Sequence, residues 1–345
     1  MNVRMHDPSR RQWLKAMGAL GVGTLLSGLR LDAQAPAKPF RIDVHNHIVP
    51  PAFVQLLKDG GMWTPAVSNW TPAKAIEDLD KMGTATAITS LPNPHAYPVG
   101  QAHVKLARDI NEYAAKLASD HPGRFGNFAS LPLPDMDATL KEIAYALDVL
   151  KADGFFVWTS YGDVWLGDPA WTPVYEELNR RKAIVYTHPR SAGCCGNLNI
   201  PVNEGTIEWQ TDTTRALANV VFSGTAAKYP DIRYIWSHGG GTMPFLVRRF
   251  VTAAEAPENK DKVPGGFLVQ ARKMYYDTAQ QLLAPQQWPL KWVATMPQIV
   301  FGTDYPMSAA SLTTPKALRE TGVFTESEAH IIERDNPLKL FPRFA

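Results

Sequence analysis

The stretch DVHNHI, residues 43–48, decides how the chain is interpreted. It lies within an apolar run, residues 40–49, that is typical of a β-strand. Side chains alternate along a strand, so His45 and His47 point to the same side. Two imidazoles on one face of a strand provide two ligands for one metal ion. A purely structural pair of histidines has the same spacing, so the rest of the chain must decide between the two interpretations.

Eight apolar runs alternate with longer segments whose apolar residues recur at helical spacing. Several of the runs are rich in β-branched and aromatic residues and are apolar on both faces, as buried parallel strands are. The predicted strands are 40–49, 84–91, 124–131, 154–159, 183–188, 232–238, 273–278 and 298–304. The predicted helices are 72–82, 101–120, 137–151, 169–181, 206–228, 243–255, 285–295, 314–321 and 326–341.

This alternation predicts an α/β fold, namely a (β/α)₈ TIM barrel with an extra C-terminal helix. A doubly wound open sheet shows a similar alternation, but it usually carries a glycine-rich turn after its first strand. The first strand here ends in His-Asn-His instead, which favours the barrel. No linker interrupts the body of the chain, so residues 36–345 are predicted to form a single domain.

The N-terminal segment has the features of an export signal. Residues 9–15, SRRQWLK, resemble the twin-arginine motif, and the apolar stretch 16–29 and the small-residue pattern AQA at 33–35 follow it. The apolar stretch is shorter than the roughly 20 residues that a membrane span needs. Residues 1–35 are therefore predicted to be a twin-arginine signal peptide that directs the protein to the periplasm. An amphipathic helix with a chance arginine pair is the alternative.

The body of the chain gives no electrostatic basis for binding nucleic acid or a membrane surface. The formal net charge is +2, and several arginines lie in the first 35 residues, so the remainder is close to neutral. The only cysteines, Cys194 and Cys195, are adjacent and cannot form a disulfide framework. Two free thiols and a vicinal disulfide both remain open.

Four of the predicted strands, the first, fifth, sixth and eighth, end in histidine or aspartate, side chains that can bind a metal or transfer a proton. In a barrel these strand ends meet at one face. Three imidazoles and one carboxylate suit Zn²⁺, with Mn²⁺, Fe²⁺ and Co²⁺ as alternatives. A further imidazole, that of His238 after the sixth strand, is left as an acid or base that works near neutral pH. The predicted metal ligands are His45, His47, His188 and Asp304.

These motifs together resemble the amidohydrolase superfamily and, within it, the group similar to aminocarboxymuconate-semialdehyde decarboxylase. The likeness covers residues 40–344, and the motifs that carry it are DVHNH (43–47), THP (187–189), SHGGG (237–241), GTDYP (302–306) and NPLKLFP (336–342). Residues 42–51, together with TDTTR (211–215) and YDTA (276–279), are most similar to members of the 6-methylsalicylate decarboxylase type.

The resemblance implies a metal-dependent, non-oxidative decarboxylase of a hydroxylated aromatic or related unsaturated carboxylic acid. It implies that Asp304 is both a metal ligand and the proton carrier, with His238 polarising the substrate. Dinuclear members carry a bridging lysine at the end of the fourth strand, but residues 153–159 contain none, so one divalent metal ion is expected. The resemblance also suggests a homodimer.

Five further residues near the strand ends are candidates for supporting roles. Arg190 could pair with the substrate carboxylate, and Trp158 and Tyr305 could pack against the aromatic ring of the substrate. Each of the three also fits a structural role. Asp277 and Arg215 either form a structural pair or orient the histidines, and the structural role is favoured.

The identity of the carboxylate anchor stays open. Some decarboxylases of this group carry an arginine before the first helix that binds the carboxylate, but residues 62–74 contain none. The alternative function is a mononuclear hydrolase or hydratase acting on a lactone, amide or enol. It would use the same metal, with His238 as the base.

Overall fold

Eight parallel strands form the centre of the fold. The computed structural model describes residues 38–91, 100–195 and 201–345, apart from the side chain of Ala309. The strands pair in chain order, and every neighbouring pair is parallel. All eight predicted strands are confirmed, each somewhat shorter than predicted. They are β1 (Arg41–His47), β2 (Thr84–Ser90), β3 (Phe125–Ser130), β4 (Gly154–Trp158), β5 (Ile184–His188), β6 (Arg233–Trp236), β7 (Tyr275–Asp277) and β8 (Ile299–Val300).

The sheet closes because β1 hydrogen-bonds to the segment that follows β8. The amide of Asp304 donates to the carbonyl of His45 at 2.8 Å, and the amide of His47 donates to the carbonyl of Tyr305 at 2.7 Å. The predicted (β/α)₈ barrel is therefore confirmed. Closure also places the first and last strand ends side by side, which brings Asp304 next to the two histidines of β1.

Helices connect successive strands, as predicted. The main ones are α1 (Pro72–Lys81), α2 (Gln101–Asp120), α3 (Met136–Asp148), α4 (Thr172–Arg180), α5 (Glu208–Phe222), α6 (Met243–Ala254), α7 (Ala284–Val293) and α8 (Thr314–Glu320). Shorter α-helical segments are Val54–Asp59, Pro65–Ser68, Thr225–Lys228 and Phe267–Ala271.

The predicted C-terminal helix is present but interrupted. It consists of Glu326–His330, a π-helical turn at Ile331–Asp335, and Asn336–Leu340. Pro337 has no amide hydrogen to donate to the carbonyl of Glu333, so a regular α-helical ladder cannot continue through this point.

Both faces of the central strands are buried, as their composition predicts. Phe155 packs in one apolar cluster with Ile143 of α3, while the next residue, Phe156, packs in a second cluster with Phe128 and Tyr186. The rings of the last two are stacked with centroids 5.0 Å apart. Burial of each such side chain contributes about 2–3 kcal/mol to the free energy of unfolding. The strand ends are therefore attached to a rigid core.

A two-stranded hairpin after β4, Ser160–Tyr161 paired with Val164–Trp165, is not apparent from the sequence because each strand has only two residues. Among the described residues, no helix combines the length and the apolar character that crossing a membrane requires. The predicted signal peptide, residues 1–35, lies outside the described residues.

Candidate metal centre

Four side chains converge at the C-terminal face of the barrel. His45 and His47 belong to β1, His188 is the last residue of β5, and Asp304 follows β8. Each offers one ligand atom, these atoms lie within 4.8 Å of one another, and all four residues are buried. The structure thus brings together the four residues that were predicted from the sequence to be metal ligands.

The histidines are oriented by partners on their Nδ1 atoms. An acceptor at Nδ1 holds the proton there and leaves the Nε2 lone pair free for a metal. The partners are Asp277 Oδ2 for His45 at 2.7 Å, Ser90 Oγ for His47 at 3.1 Å and the carbonyl of Pro189 for His188 at 2.9 Å.

The Nε2 atoms and the carboxylate fit a divalent cation. Nε2 of His45 is buried and has no hydrogen-bond partner among the described residues. Oδ1 of Asp304 lies 3.2 Å from this atom and 3.1 Å from Nε2 of His47. A buried nitrogen that makes no hydrogen bond costs free energy, and a cation held between it and the carboxylate would remove that cost. Three imidazole nitrogens and one carboxylate are a donor set that divalent transition metals accept.

The electrostatics of the site keep its carboxylate charged. Burial raises the pKa of Asp304, but the neighbouring histidines outweigh it and hold that pKa well below its usual range. Burial lowers the pKa of His45, yet Asp277 and Asp304 outweigh it and raise that pKa to about 10. Burial, with His47 and His45 close by, lowers the pKa of His188, so this ligand is neutral. A cation that binds here would displace the proton on His45.

His238 lies beside this group without joining it. Its Nε2 is 3.7 Å from Oδ2 of Asp304, and its backbone amide donates to Oδ1 of Asp277 at 2.8 Å. Its Nδ1 is buried without a hydrogen-bond partner among the described residues. The turn that follows needs glycine, because a Cβ on Gly241, whose φ is +69°, would lie 2.2 Å from the carbonyl oxygen of Gln210.

A cavity of about 690 Å³ opens at this site, and three of the four ligands line it, His47, His188 and Asp304. Its apolar walls suit an aromatic ring. Its polar groups are mostly amides and hydroxyls, and the described lining contains no lysine or arginine. Apart from His47, His188, His238 and Asp304, the described lining consists of Met62, Asn203, Gly205, Thr206, Trp209, Gln210, Gly241, Thr242, Phe245, Gln280, Gln281, Gln286, Met307 and Ser308.

The three residues predicted to contact substrate are not among this described lining. The hydroxyl of Tyr305 donates to Asp78 of α1 at 2.9 Å, so the side chain serves the packing of that helix. Trp158 is buried, and its ring contacts that of His188 edge to face with centroids 5.9 Å apart. Arg190 is half-buried.

The expectations for Asp277 and Arg215 are corrected. The two residues do not form a pair: Asp277 accepts from His45, whereas Arg215 lies 3.8 Å from Glu208 and donates to Cys195 Sγ at 3.6 Å. Asp277 therefore has the orienting role, which was the less favoured of its two predicted roles. Cys194 and Cys195 are both free, and neither belongs to the group of metal-competent residues found in the described part of the chain.

Sequence reasoning missed three residues that support the site. Ser90 at the end of β2 holds His47, and Gln280 after β7 donates to Oδ2 of Asp304 at 3.0 Å. Asp43 accepts from the amides of His45 and Thr303 and so ties β1 to the segment after β8. The available signals were proximity to a predicted strand end for Ser90 and Gln280 and the DVHNH motif for Asp43, and none of these gives the direction of a side chain.

Comparisons with known proteins agree with this architecture. The family model described as amidohydrolase matches residues 42–343. A decarboxylase from Aspergillus niger, yanB, is 39% identical, covering 88% of this chain and 88% of its own length. The 6-methylsalicylic acid decarboxylase from Penicillium expansum is 33% identical, covering 88% of this chain and 96% of its own.

A solved structure shows the same fold. The dihydroxybenzoic acid decarboxylase from Polaromonas sp., with bound manganese and the inhibitor 2-nitroresorcinol, superposes with a TM-score of 0.75 at 19% identity. The match covers 88% of this chain and 97% of that one.

Proposed function

The chain belongs to the amidohydrolase family, and we propose that it is a metal-dependent, non-oxidative decarboxylase of a hydroxylated aromatic acid of the 6-methylsalicylate type. The observation that carries the proposal is the placement of Asp304. Its Oδ1 faces the histidine ligands at 3.1–3.2 Å, while Oδ2 faces Gln280 and His238 at the floor of a ring-sized cavity. The names of the Aspergillus and Penicillium relatives favour decarboxylation over hydrolysis.

The metal would be held by His45, His47, His188 and Asp304, and when bound it supplies a Lewis acid that orients the phenol and carboxylate oxygens of the substrate. We favour Zn²⁺ because the donors are mainly imidazole. Mn²⁺ is the alternative, and the Polaromonas structure holds that ion.

The chain's own residues would move the proton. Oδ2 of Asp304 takes the proton of the substrate phenol and delivers it to the ring carbon that bears the carboxylate. The bond from that carbon to the carboxylate then breaks and CO₂ leaves. The two electrons of that bond restore the aromatic ring, and the resulting phenolate oxygen takes a proton from water. His238, 3.7 Å from Oδ2, hydrogen-bonds to the substrate oxygen and compensates its charge. Met62, Trp209 and Phe245 would offer apolar surface to the ring.

We also propose that the protein works as a homodimer. Leu283, Trp288 and Trp292, at and within α7, are exposed by 63%, 55% and 61%. Trp288 and Trp292 are one helical turn apart and share a face, and exposed apolar groups of this size mark interaction surfaces. Export by the twin-arginine route to the periplasm is proposed from residues 9–35 alone.

The test of the function is the mass of the product. Protein loaded with Zn²⁺ or Mn²⁺ would be incubated with 6-methylsalicylate and a panel of hydroxybenzoates, and the products analysed by mass spectrometry. A product that has lost CO₂ supports the proposal. A product that has gained water from a lactone, amide or enol, with every aromatic acid unchanged, identifies a hydrolase or hydratase instead.

A further inference from the structure

Two consecutive glutamines after β7 each contact one of the proton-transfer candidates. Nε2 of Gln280 donates to Oδ2 of Asp304 at 3.0 Å, and Nε2 of Gln281 donates to the carbonyl oxygen of His238 at 3.1 Å. Both glutamines line the cavity. The amide groups therefore reach the residues that the proposed reaction uses without belonging to the ligand set.

A second pair of glutamines, in the first turn of α7, holds the first pair. Nε2 of Gln286 donates to the carbonyl of Gln280 at 3.0 Å, and Nε2 of Gln287 donates to the carbonyl of Gln281 at 2.8 Å. Gln280 has a φ of +60°, a conformation that a non-glycine residue keeps only when its surroundings enforce it. These two contacts help to hold it in place.

The contact from Gln280 gives the two oxygen atoms of Asp304 different surroundings. Oδ1 lies among the Nε2 atoms of His45 and His47, whereas Oδ2 meets Gln280 and faces His238. Without a donor at Oδ2, rotation of the carboxylate would exchange the two oxygens or tilt both of them. A neutral amide fixes the orientation, and it neither cancels the charge of the carboxylate nor competes for its proton.

We propose that Gln280 is a positioning residue that holds the Asp304 carboxylate with one oxygen toward the metal ligands and the other toward the substrate. The kinetic part of this proposal rests on the proposed function, but the part that concerns metal binding does not. Partners that orient ligating groups typically contribute 10–100-fold to metal affinity or activity.

The test compares Gln280→Met, which keeps the length but loses the donor, with Gln280→Glu, which keeps the shape but presents an acceptor. Gln55→Met is the matched control, because Gln55 also donates an amide hydrogen to an aspartate, Asp59, at 2.7 Å, but on the surface. Zn²⁺ affinity would be measured by competition with a chelator, and kcat and KM with the best aromatic acid found for the parent protein.

We expect Gln280→Met to bind Zn²⁺ about tenfold more weakly and to lose about tenfold or more in kcat, with KM changed less than threefold. Gln280→Glu should lose as much kcat while binding Zn²⁺ at least as tightly as the parent, because it adds a carboxylate near the ion. A merely structural defect would weaken metal binding in both variants. Gln55→Met should match the parent protein in both measurements.

Parental Zn²⁺ affinity and kcat in Gln280→Met would overturn the proposal, as would an equal loss of Zn²⁺ affinity in both variants. If the parent protein decarboxylates no aromatic acid, the proposed function fails. In that case the Zn²⁺ affinities still test the positioning role. Opposite effects of the two substitutions would support it, and equal losses would refute it.

Discussion

His45 Nδ1 lies 2.7 Å from Oδ2 of Asp277, and both side chains are completely buried. The other oxygen of Asp277 accepts from the backbone amides of His238 and Ala279, at 2.8 and 3.0 Å. One carboxylate thus orients a metal ligand and fixes the turn that carries the proposed acid–base histidine. Because a pair of backbone donors occupies Oδ1, only Oδ2 is available to the imidazole.

Asp277→Asn should weaken metal binding by about 10–100-fold. The two backbone donors will retain the amide oxygen, so the NH₂ group will face Nδ1 of His45. The imidazole proton must then move to Nε2, the atom that faces the metal. Affinity for Zn²⁺ measured by chelator competition checks this. Asp148→Asn on the surface, where Asp148 pairs with Arg181, serves as the control, and an unchanged affinity in Asp277→Asn would refute the orienting role.

Arg190→Met should leave the KM for the aromatic acid within about threefold of the parental value. Arg190 is the arginine nearest in sequence to a metal ligand, but it is not among the described residues that line the cavity. The described lining offers a substrate carboxylate amides and hydroxyls but no lysine or arginine, so Arg190 is not expected to anchor it. Steady-state kinetics decide the matter. If the substitution raises KM by two orders of magnitude or more while kcat stays unchanged, Arg190 binds the substrate carboxylate.

Stability should decrease as the pH falls from about 6.5 to about 4, in part because of His103. Burial, together with the nearby Arg190, lowers the pKa of this histidine to about 4 in the folded protein. The unfolded chain binds the proton near pH 6.5, so it takes up more protons in this window and the free energy of unfolding declines. Above pH 6.5 this contribution is fully present.

His103→Asn removes the titrating group and should reduce that decline by up to about 3 kcal/mol. Urea unfolding of the parent and the variant at pH 7 and pH 4.5 measures the difference. Equal declines in the two proteins would show that His103 does not contribute.

The barrel and the four ligands were accessible from sequence because each rests on a local pattern. The eight apolar runs predict strands, and in a barrel the strand ends must meet, so His45, His188 and Asp304 could be assigned to one site without knowing any distance. The C-terminal segment shows the limit of this reasoning. Helical spacing predicts one helix, but Pro337 interrupts it.

The supporting residues were not accessible because their roles depend on side-chain direction. Tyr305 follows a metal ligand directly, yet its hydroxyl turns away from the cavity to Asp78. Gln280 looks like an ordinary loop residue in the sequence. Its amide is directed to Asp304 by its left-handed backbone conformation and by the hydrogen bond that Gln286 donates to its carbonyl. Such directions follow from long-range packing, which local patterns do not encode.

The central claim is that Asp304, beside a bound metal, delivers the proton that replaces CO₂. The most direct measurement is the release of labelled CO₂ from carboxyl-labelled 6-methylsalicylate by the Zn²⁺-loaded parent protein and by Asp304→Asn. We predict labelled CO₂ in proportion to decarboxylated product for the parent, its loss after removal of the metal, and none from Asp304→Asn. Full release of labelled CO₂ by Asp304→Asn would contradict the claim.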